Sequence, residues 1–425
     1  MHVRTRRLTV AVATVLAVLS GMSTASSRPA DPHRTEAGRP WTAAWTAPPQ
    51  RPSTSFQANW SEEGFRDHTL RQVVRVTAPG DEIRIRLSNR YGTSPLRVTG
   101  ATVALAGEGA AEVPGTVRPL TFRGSVPVGG SLVSDPVSLR TDTLHRLTVT
   151  LYLRDRTGSA TFHDQAYATS YRATGDRRAD SSGKSFAQTT ESLYYLTDVE
   201  VRDSDAAAPN RVRKDSVVAF GDSITDGFGS TTDTDSRWPD ELAERLAAKG
   251  RPRPVLNSGI GGNLLLHDSA WFGDSAWSRF ERDVLDKPGV GTVVLFEGLN
   301  DIGFSEIDLT AYKPNPAVSV SELIDTQRSM IRRAHQRGIK VVGATLLPMK
   351  GAEYYNTTSA AKIRELNHWI RTSGEFDAVV DFNQALADPG DPERIDPAYD
   401  SGDHKHPNDA GYRAMARAAE RTPLI

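Results

Sequence analysis

The chain has 425 residues, no cysteine, 24% charged side chains and a formal net charge of -1. The lack of cysteine excludes disulfides, cysteine-ligated zinc, iron–sulfur clusters and thiol nucleophiles. The near-neutral charge gives no electrostatic case for a nucleic-acid partner, and the length predicts two or three domains of roughly 100–200 residues each.

The first 25 residues have the pattern of a secretory signal. Arg4, Arg6 and Arg7 precede an apolar run from Leu8 to Leu19, and small residues allow cleavage near Ala25. A membrane anchor is the alternative, but about a dozen apolar residues cannot span a hydrocarbon core of ~30 Å. We therefore expect a signal peptide at 1–25, a secreted protein and a mature chain without an integral membrane segment. The arginine pair leaves twin-arginine export open beside the general secretory route.

Residues 26–40 are rich in proline, arginine and small polar residues, which predicts a disordered lead-in. From 41 to 205, short segments alternate between apolar and polar side chains, as in Leu70–Thr77, Glu82–Ser88 and Leu147–Leu153. Period-two alternation is typical of strands with one buried face. Without a clear amphipathic helix, the pattern predicts an all-β sandwich domain at 41–205.

From 215 to 425 the apolar runs lose their alternation and are separated by helical stretches. The runs are Ser216–Phe220, Val255–Leu256, Thr292–Phe296, Lys340–Leu347 and Ala378–Phe382. Trp238, Leu242 and Leu246 lie on one helix face, and Ser319 with Glu322 forms a capping box. Strands and helices that alternate in this way predict a doubly wound α/β domain with a parallel sheet.

Ligands of such sheets bind at the carboxyl ends of the strands. Polar and glycine-rich segments follow the first three predicted strands of this domain, and one more precedes a predicted final helix. These segments are Gly221–Thr225, Asn257–Asn263, Glu297–Asp301 and Asp403–Asn408. They supply a hydroxyl, glycine amides, a side-chain amide, an imidazole and a carboxylate, which are the groups that acyl transfer requires.

In these four segments the sequence resembles the GDSL-type members of the SGNH hydrolase family. The resemblance runs from about Asp215 to Ile425, with Ile224 where the usual pattern has leucine. It implies a flavodoxin-like three-layer α/β/α domain with the activity of a serine esterase or acylhydrolase. No cofactor and no metal ion are expected.

The resemblance implies that Ser223 is the nucleophile, His406 the general base and Asp403 the carboxylate that orients the base. Alone, Ser223 is more typical of a helix N-cap and His406 of a surface histidine. The buried strand before Ser223 and the short spacing from Asp403 to His406 favour catalytic roles instead. His404 is the nearest competitor for the base, and we expect it to be solvated or at the substrate's edge.

The same resemblance assigns the oxyanion hole to the Ser223 amide, the Gly262 amide and the Asn300 side chain. The choice of Gly262 over Gly261 rests on the alignment of the motif alone. A dinucleotide site is excluded because its fingerprint needs a glycine where Leu264 stands. The aspartate-rich segment 231–235 could bind calcium, but we expect a solvated loop.

Trp271, Phe272 and Trp277 follow the second motif, and we expect them to bind substrate, with packing of a capping segment as the alternative. Residues 227–230 with 237–240 resemble a branch associated with arylesterase and xylan-related esterase activity. The expected substrate is therefore a small or polymeric short-chain ester, such as an acylated carbohydrate. The alternative function is a catalytically inactive, carbohydrate-binding or adhesive secreted protein.

Overall fold

The computed structural model describes residues 40–54, 56–203, 214–307 and 316–425. The predicted signal peptide and all of the lead-in except Pro40 lie outside these residues. Arg39–Ile425 form one compact unit. None of the helices in the described ranges combines the length and the apolar character that crossing a membrane requires.

Residues 40–203, called here the β-rich region, are built from antiparallel strands. The strands are β1 (Thr42–Thr46), β2 (His68–Arg75), β3 (Gly80–Ser88), β4 (Gly100–Leu105), β5 (Arg118–Leu120), β6 (Ser131–Val133), β7 (Val137–Thr141), β8 (Arg146–Leu153), β9 (Phe162–His163), β10 (Ser170–Thr174), β11 (Gln188–Thr190), β12 (Leu193–Tyr194) and β13 (Leu196–Arg202). The strands predicted from alternation correspond to β2, β3 and β8, so the antiparallel β-rich character of this region is confirmed.

Two sheets of the β-rich region share one hydrophobic core. One has the order β1-β13-β3-β6 with β7 also paired to β3, and the other has the order β11-β10-β2-β8-β4-β5. Ile83 and Ile85 of β3 belong to the same buried cluster as Val149 and Leu151 of β8. A single core between two antiparallel sheets is the packing expected of a sandwich.

Residues 214–425, called here the α/β region, alternate strands and helices. The elements are β14 (Ser216–Gly221), α1 (Ser223–Asp226), α2 (Trp238–Ala248), β15 (Val255–Gly259), α3 (Ala276–Phe280), a π-helical turn (Glu281–Leu285), β16 (Val290–Phe296), α4 (Leu299–Ser305), α5 (Val320–Gln336), β17 (Lys340–Ala344), α6 (Thr357–Thr372), β18 (Ala378–Val380), α7 (Phe382–Leu386), β19 (Ala387–Asp388), β20 (Asp391–Ile395) and α8 (Asp409–Glu420). The parallel sheet has the order β15-β14-β16-β17-β18. Numbered within the domain this order is 2-1-3-4-5, which is the flavodoxin-like order, so the predicted fold is confirmed.

The predicted strands are correct in place, but two of them extend too far at the carboxyl end. β17 ends at Ala344 because the next residues turn toward α6, where the Leu346 amide donates to Asn367 Oδ1 at 2.7 Å. β18 ends at Val380 because Asp381 caps α7 by accepting from the Gln384 amide. In both cases a side-chain acceptor replaces the strand ladder.

The two regions are joined by hydrogen bonds between their backbones and side chains. The Ala43 amide donates to the Pro288 carbonyl at 3.0 Å, and the Thr77 hydroxyl donates to the Val255 carbonyl at 3.0 Å. The predicted division between 205 and 215 falls within 204–213, outside the described residues. The compact unit at 39–425 is therefore held by direct packing of the β-rich region on the α/β region.

A fully buried arginine links three strand ends of the parallel sheet. Arg279 donates to the Gly221 carbonyl at 2.9 Å and to the Ser258 carbonyl at 2.8 Å, at the ends of β14 and β15. It also donates to Glu297 Oε1 at 3.2 Å, directly after β16, and its guanidinium lies 4.1 Å from the centroid of the Phe220 ring. These contacts fix the strand ends relative to one another.

We expect Arg279→Leu to lower the free energy of unfolding by about 3–5 kcal/mol, because Glu297 would remain as an unpaired buried carboxylate. Arg328→Leu is the matched control, since the Arg328–Glu375 pair is exposed to solvent, which screens it, and its loss should change the free energy of unfolding far less. Urea unfolding at neutral pH measures both changes. Equal losses in the two variants would contradict the importance of the buried pair.

Candidate active site

Ser223 stands at the start of α1, two residues after the end of β14, which lies between β15 and β16 in the parallel sheet. Asp222 is the N-cap of this helix, and its side chain accepts from the Ile224 amide at 3.0 Å. Gly221 leaves the space that this turn needs, because a Cβ there would lie 2.2 Å from Thr225 Oγ1 and 2.8 Å from the Phe296 carbonyl oxygen. The tight turn places the serine hydroxyl at the carboxyl edge of the sheet.

The hydroxyl of Ser223 lies at one end of a chain of three residues joined by two contacts. Ser223 Oγ is 2.8 Å from His406 Nε2, and His406 Nδ1 is 2.5 Å from Asp403 Oδ2. Asp403 Oδ1 accepts from the amides of His406 at 2.9 Å and of Lys405 at 3.1 Å. Burial opposes the charge of Asp403, but these hydrogen bonds outweigh it and hold the pKa of Asp403 well below its usual range. The structure thus brings together the three residues that the sequence predicts as nucleophile, base and carboxylate.

The imidazole of His406 is also held from its face. The ring of Phe228 lies 4.3 Å from the His406 ring, centroid to centroid, and the Phe228 carbonyl accepts from the Tyr412 hydroxyl at 2.6 Å. His404, the competing histidine, is half exposed, and its Nδ1 lies 2.6 Å from Asp400 Oδ2. Of these two histidines, only His406 contacts Ser223.

The loop Ile260–Asn263, called here the oxyanion loop, follows β15 and carries both candidate glycines. The Gly261 amide already donates to Asp226 Oδ2 at 3.0 Å. Gly262 has a φ of 71°, and a Cβ there would lie 2.3 Å from the Phe272 ring, so this position requires glycine. Within the described part of the chain, the Gly262 amide meets no hydrogen-bond acceptor. This difference favours Gly262 over Gly261 as a donor to a bound oxyanion.

Asn300 lies in the first turn of α4 and reaches the same loop. Its Nδ2 donates to the Asn263 carbonyl at 3.1 Å and, more weakly, to Asp222 Oδ2 at 3.4 Å. The Asn263 side chain donates to the carbonyls of Phe272 and Asp274. The structure therefore brings Asn300 to the oxyanion loop and to the turn that carries Ser223.

Two buried carboxylates support this arrangement. Burial and the negative charge of Asp301 raise the pKa of Asp222 to about 7. Burial raises the pKa of Asp301 to about 6, although its oxygens accept from the amides of Leu265 at 2.7 Å and of Leu266 at 3.0 Å. Asp301 thereby anchors the segment that follows the oxyanion loop.

The three aromatic residues that the sequence predicts as substrate-binding have different surroundings in the structure. Phe272 is buried against Gly262 and lies beside Phe304, with 5.3 Å between ring centroids. Trp271 is partly buried, and Trp277 is 38% exposed with the Arg333 guanidinium of α5 over its ring at 5.0 Å. Only Phe272 is thus tied to the oxyanion loop, and the substrate-binding role of all three stays a prediction.

The aspartate-rich segment 231–235 is a turn in which Thr231, Asp233 and Thr234 are exposed, as expected of a solvated loop, but its aspartates also contact the β-rich region. Asp233 accepts from the Thr169 amide and hydroxyl, and Asp235 pairs with Arg146 and Arg75 of the β-rich region. Its carboxylates are therefore occupied by partners that sequence spacing does not reveal. No cluster of three or more histidine, aspartate or glutamate side chains suited to a metal ion occurs among the described residues.

Sequence reasoning missed two residues that the site uses. Asp226, on α1, holds the Gly261 amide, and Phe304, on α4, packs against Phe272. Asp226 follows Ser223 by three residues, so its position on the same helix was readable from the sequence. The contact of Asp226 with the Gly261 amide could not be read from the sequence, because it joins segments that follow two different strands.

Comparison with known proteins finds a family match within the α/β region. Residues 219–414 match the family model of the GDSL-like lipase/acylhydrolase family. No curated protein matches the chain significantly. Among solved structures, a GDSL-like lipase from Bacteroides thetaiotaomicron is 21% identical, with 49% of this chain and 87% of that chain covered and a TM-score of 0.37.

Two acetyl xylan esterases are also among the similar solved structures. The enzyme from Geobacillus stearothermophilus is 22% identical over 49% of this chain and 94% of its own, with a TM-score of 0.38. The acetyl xylan esterase AlAXEase is 25% identical over 48% of this chain and 97% of its own, also with a TM-score of 0.38.

The raised pKa of Asp222 makes stability depend on pH. The folded protein retains a proton at Asp222 that the unfolded chain releases above its ordinary pKa of 3.8, so the free energy of unfolding falls between pH 3.8 and about pH 7. Asp222→Asn removes the contribution of this residue and retains an N-cap acceptor, whereas the contribution of Asp301 remains in both proteins. We therefore expect the difference in free energy of unfolding, variant minus wild type, to increase by on the order of 2–4 kcal/mol between pH 4 and pH 8. Urea unfolding of both proteins at several pH values measures this difference. A difference that stays constant across this range would contradict the prediction.

Proposed function

We propose that this carboxylic ester hydrolase, whose residues 219–414 form a GDSL-like lipase/acylhydrolase domain, cleaves short-chain acyl esters through a serine–histidine–aspartate acyl-enzyme mechanism. The observation that carries the proposal is the continuous chain of contacts from Ser223 through His406 to Asp403. A hydroxyl, an imidazole and a carboxylate in this order are the constellation of serine hydrolases.

In the first half of the reaction, Ser223 Oγ attacks the ester carbonyl carbon while His406 Nε2 takes the hydroxyl proton. Asp403 accepts from His406 Nδ1–H, so it selects the tautomer whose Nε2 is free to act as base and stabilises the imidazolium that forms. The tetrahedral intermediate collapses when the imidazolium returns the proton to the leaving alcohol. An acyl group then remains bound to Ser223.

The carbonyl oxygen becomes negatively charged during attack, and three groups can donate to it if Asn300 Nδ2 exchanges its long contact of 3.4 Å with Asp222 Oδ2 for the oxyanion. We assign these to the Ser223 amide, the Gly262 amide and the Asn300 Nδ2 group. The tight turn at Ser223 and the buried environment of Asn300 hold the donors in place before the substrate binds. Loss of one such donor typically costs about 10²–10³-fold in rate.

In the second half, water takes the place of the alcohol. His406 removes a proton from the water as it attacks the acyl carbon, and the same three donors bind the second oxyanion. The imidazolium then protonates Ser223 Oγ, which releases the carboxylic acid and restores the enzyme.

A row of aromatic rings beside the oxyanion loop supports a short acyl group. Phe272 packs on Gly262, Phe304 follows at 5.3 Å between ring centroids, and Tyr354 follows Phe304 at 5.9 Å. Lys405, the neighbour of His406, places its ammonium 4.6 Å from the Tyr354 ring centroid. The row extends from the oxyanion loop to the loop of the catalytic base, and we infer that it bounds the acyl site and so disfavours a long acyl chain.

For the alcohol part and the location, the proposal rests on the sequence. The resemblance of residues 227–230 and 237–240 to the arylesterase and xylan-esterase branch supports an aryl or carbohydrate alcohol, and the pattern at 1–25 supports secretion. The proposed substrates are therefore small esters of aryl alcohols or carbohydrates and acylated polysaccharides. The assembled contacts of Ser223, His406 and Asp403 weigh against the alternative of an inactive carbohydrate-binding protein.

The two neighbouring histidines give a matched test of the mechanism. We expect His406→Ala and Ser223→Ala each to lower kcat for p-nitrophenyl acetate by about 10⁴-fold or more, because each removes a member of the catalytic unit. His404→Ala should retain kcat within about 3-fold, since a partly exposed ion pair contributes little. Full activity of Ser223→Ala would refute the mechanism, and equal losses at both histidines would refute the choice of base.

The aromatic row predicts which residue limits acyl length. Phe304→Ala should raise the ratio of kcat/KM for p-nitrophenyl octanoate to that for the acetate by about 10-fold, because methylene groups gain a pocket. Trp277→Ala is the aromatic control and should leave the ratio unchanged, since its ring lies beside Arg333 on α5. A change of ratio at Trp277 instead would restore its predicted role in substrate binding.

A further inference from the structure

His163 belongs to β9 of the β-rich region, yet it is buried against the helix that carries Ser223. Its Nε2 lies 3.1 Å from Asp226 Oδ1 on α1, and its Nδ1 lies 3.1 Å from the Pro48 carbonyl oxygen. The side chain of His163 is 5% exposed and that of Asp226 is 2% exposed. Both ring nitrogens therefore face an oxygen that can accept a hydrogen bond.

Asp226 uses its two oxygens to join the two regions. Oδ1 faces His163 of the β-rich region, and Oδ2 accepts from the Gly261 amide at 3.0 Å. Asp226 closes α1, the short helix that begins at Ser223. One carboxylate therefore connects a histidine of the β-rich region, the helix of the nucleophile and the oxyanion loop.

The bond from Asp226 determines how the next residue of the loop is presented. Gly261 and Gly262 are adjacent, so an amide fixed at Gly261 restricts the peptide plane that leads to Gly262 and limits where its N–H can point. A displacement of about 1 Å at such a donor can cost 10²-fold in rate. The carboxylate at 226 thus acts on the oxyanion hole through the backbone, without touching the substrate.

Two more side chains of the β-rich region close the outer side of the oxyanion loop. A Cβ at Gly261 would lie 2.9 Å from Gln165 Oε1 and 3.0 Å from the ring of Phe56. The Phe56 ring lies 5.6 Å, between centroids, from the ring of Phe272, which packs on Gly262. The loop is therefore enclosed between the two regions.

We propose that His163 is a positioning residue of the esterase reaction: it fixes Asp226, and through Asp226 the oxyanion loop, so that the β-rich region is a working part of the active site. This inference rests on the proposed function, because it assumes that the Gly262 amide binds the oxyanion. It goes beyond a shielding or substrate-binding role for the β-rich region.

A second histidine–aspartate–amide chain in the same molecule provides the control. His335 Nε2 lies 2.7 Å from Asp377 Oδ2, and this oxygen accepts from the Val341 amide at 2.9 Å. Val341 lies near the start of β17, at the amino edge of the sheet, whereas Ser223 follows the carboxyl end of β14. His335→Ala therefore breaks contacts of the same kind at the opposite edge of the sheet.

The test measures kcat, KM and the inhibition constant of phenylboronic acid, which forms a tetrahedral adduct with a catalytic serine, in the full chain. We expect His163→Ala to lower kcat for p-nitrophenyl acetate by about 10- to 100-fold with KM changed less than about 3-fold, and to weaken boronate inhibition by a similar factor. His335→Ala should leave all three values near those of the wild type. Thermal melts of both variants report whether they are folded.

Two isosteric variants keep the test decisive if the alanine variant unfolds. The amide nitrogen of glutamine can reach the position of His163 Nε2, whereas that of asparagine is closer to the position of Nδ1. His163→Gln should therefore retain more of kcat than His163→Asn. Equal kcat in these two variants, or a folded His163→Ala with wild-type kcat and boronate inhibition, would overturn the inference. Retained activity in Ser223→Ala would instead refute the underlying mechanism.

Discussion

The active site depends on one guanidinium that never meets solvent. Arg279 binds the carbonyls that end β14 and β15, the carboxylate that follows β16 and, at 2.8 Å, the Asn263 side chain of the oxyanion loop. Parallel strands end in free carbonyls, and these would be costly to bury without donors. A single arginine with five N–H groups satisfies several of them together. The same bonds fix the distance between the turn of Ser223 and the oxyanion loop, so a requirement of the fold also sets the geometry of the site.

The second constraint is that residues of the β-rich region cover part of the α/β region. Ala43 of β1 lies in the hydrophobic cluster of the α/β region, and Arg51 and Arg90 pair with Asp274, which precedes α3. His163 meets α1 from the same side. Without cysteine no disulfide can hold these contacts, so they depend on burial and on ion pairs in which the carboxylate of Asp274 is buried and the arginines are exposed. The interface reaches the oxyanion loop through Asp226, Gln165 and Phe56, so contacts between the two regions and the geometry of this loop depend on a few shared side chains.

The sequence was sufficient for the order of elements and for the chemical groups of the site. Buried strands without alternation, the capping box at Ser319 and the helix face of Trp238 follow local rules, and the structure agrees with each of them. Strand ends were less accurate because Asn367 and Asp381 capture backbone amides there. Helix α6 was expected only as a helical stretch between two strands, without bounds, although Asn356 and Ser359 cap it, because the polar side chains of Ser359 and Asn367 interrupt its buried face. Local patterns thus identify elements better than they identify where side chains end them.

Contacts between the two regions were beyond sequence reasoning, for a physical reason. His163 and Asp226 are separated by 63 positions, Thr77 and Val255 by 178, and nothing in either local pattern depends on the other partner. A buried histidine at the end of a short strand is compatible with ordinary core packing. It gains significance only when the fold places it against the carboxylate that holds the Gly261 amide. Residues that contact the substrate form recognisable motifs because the chemistry restricts their type and spacing. Residues that position them are restricted only by where the fold places them, so no local pattern reveals them.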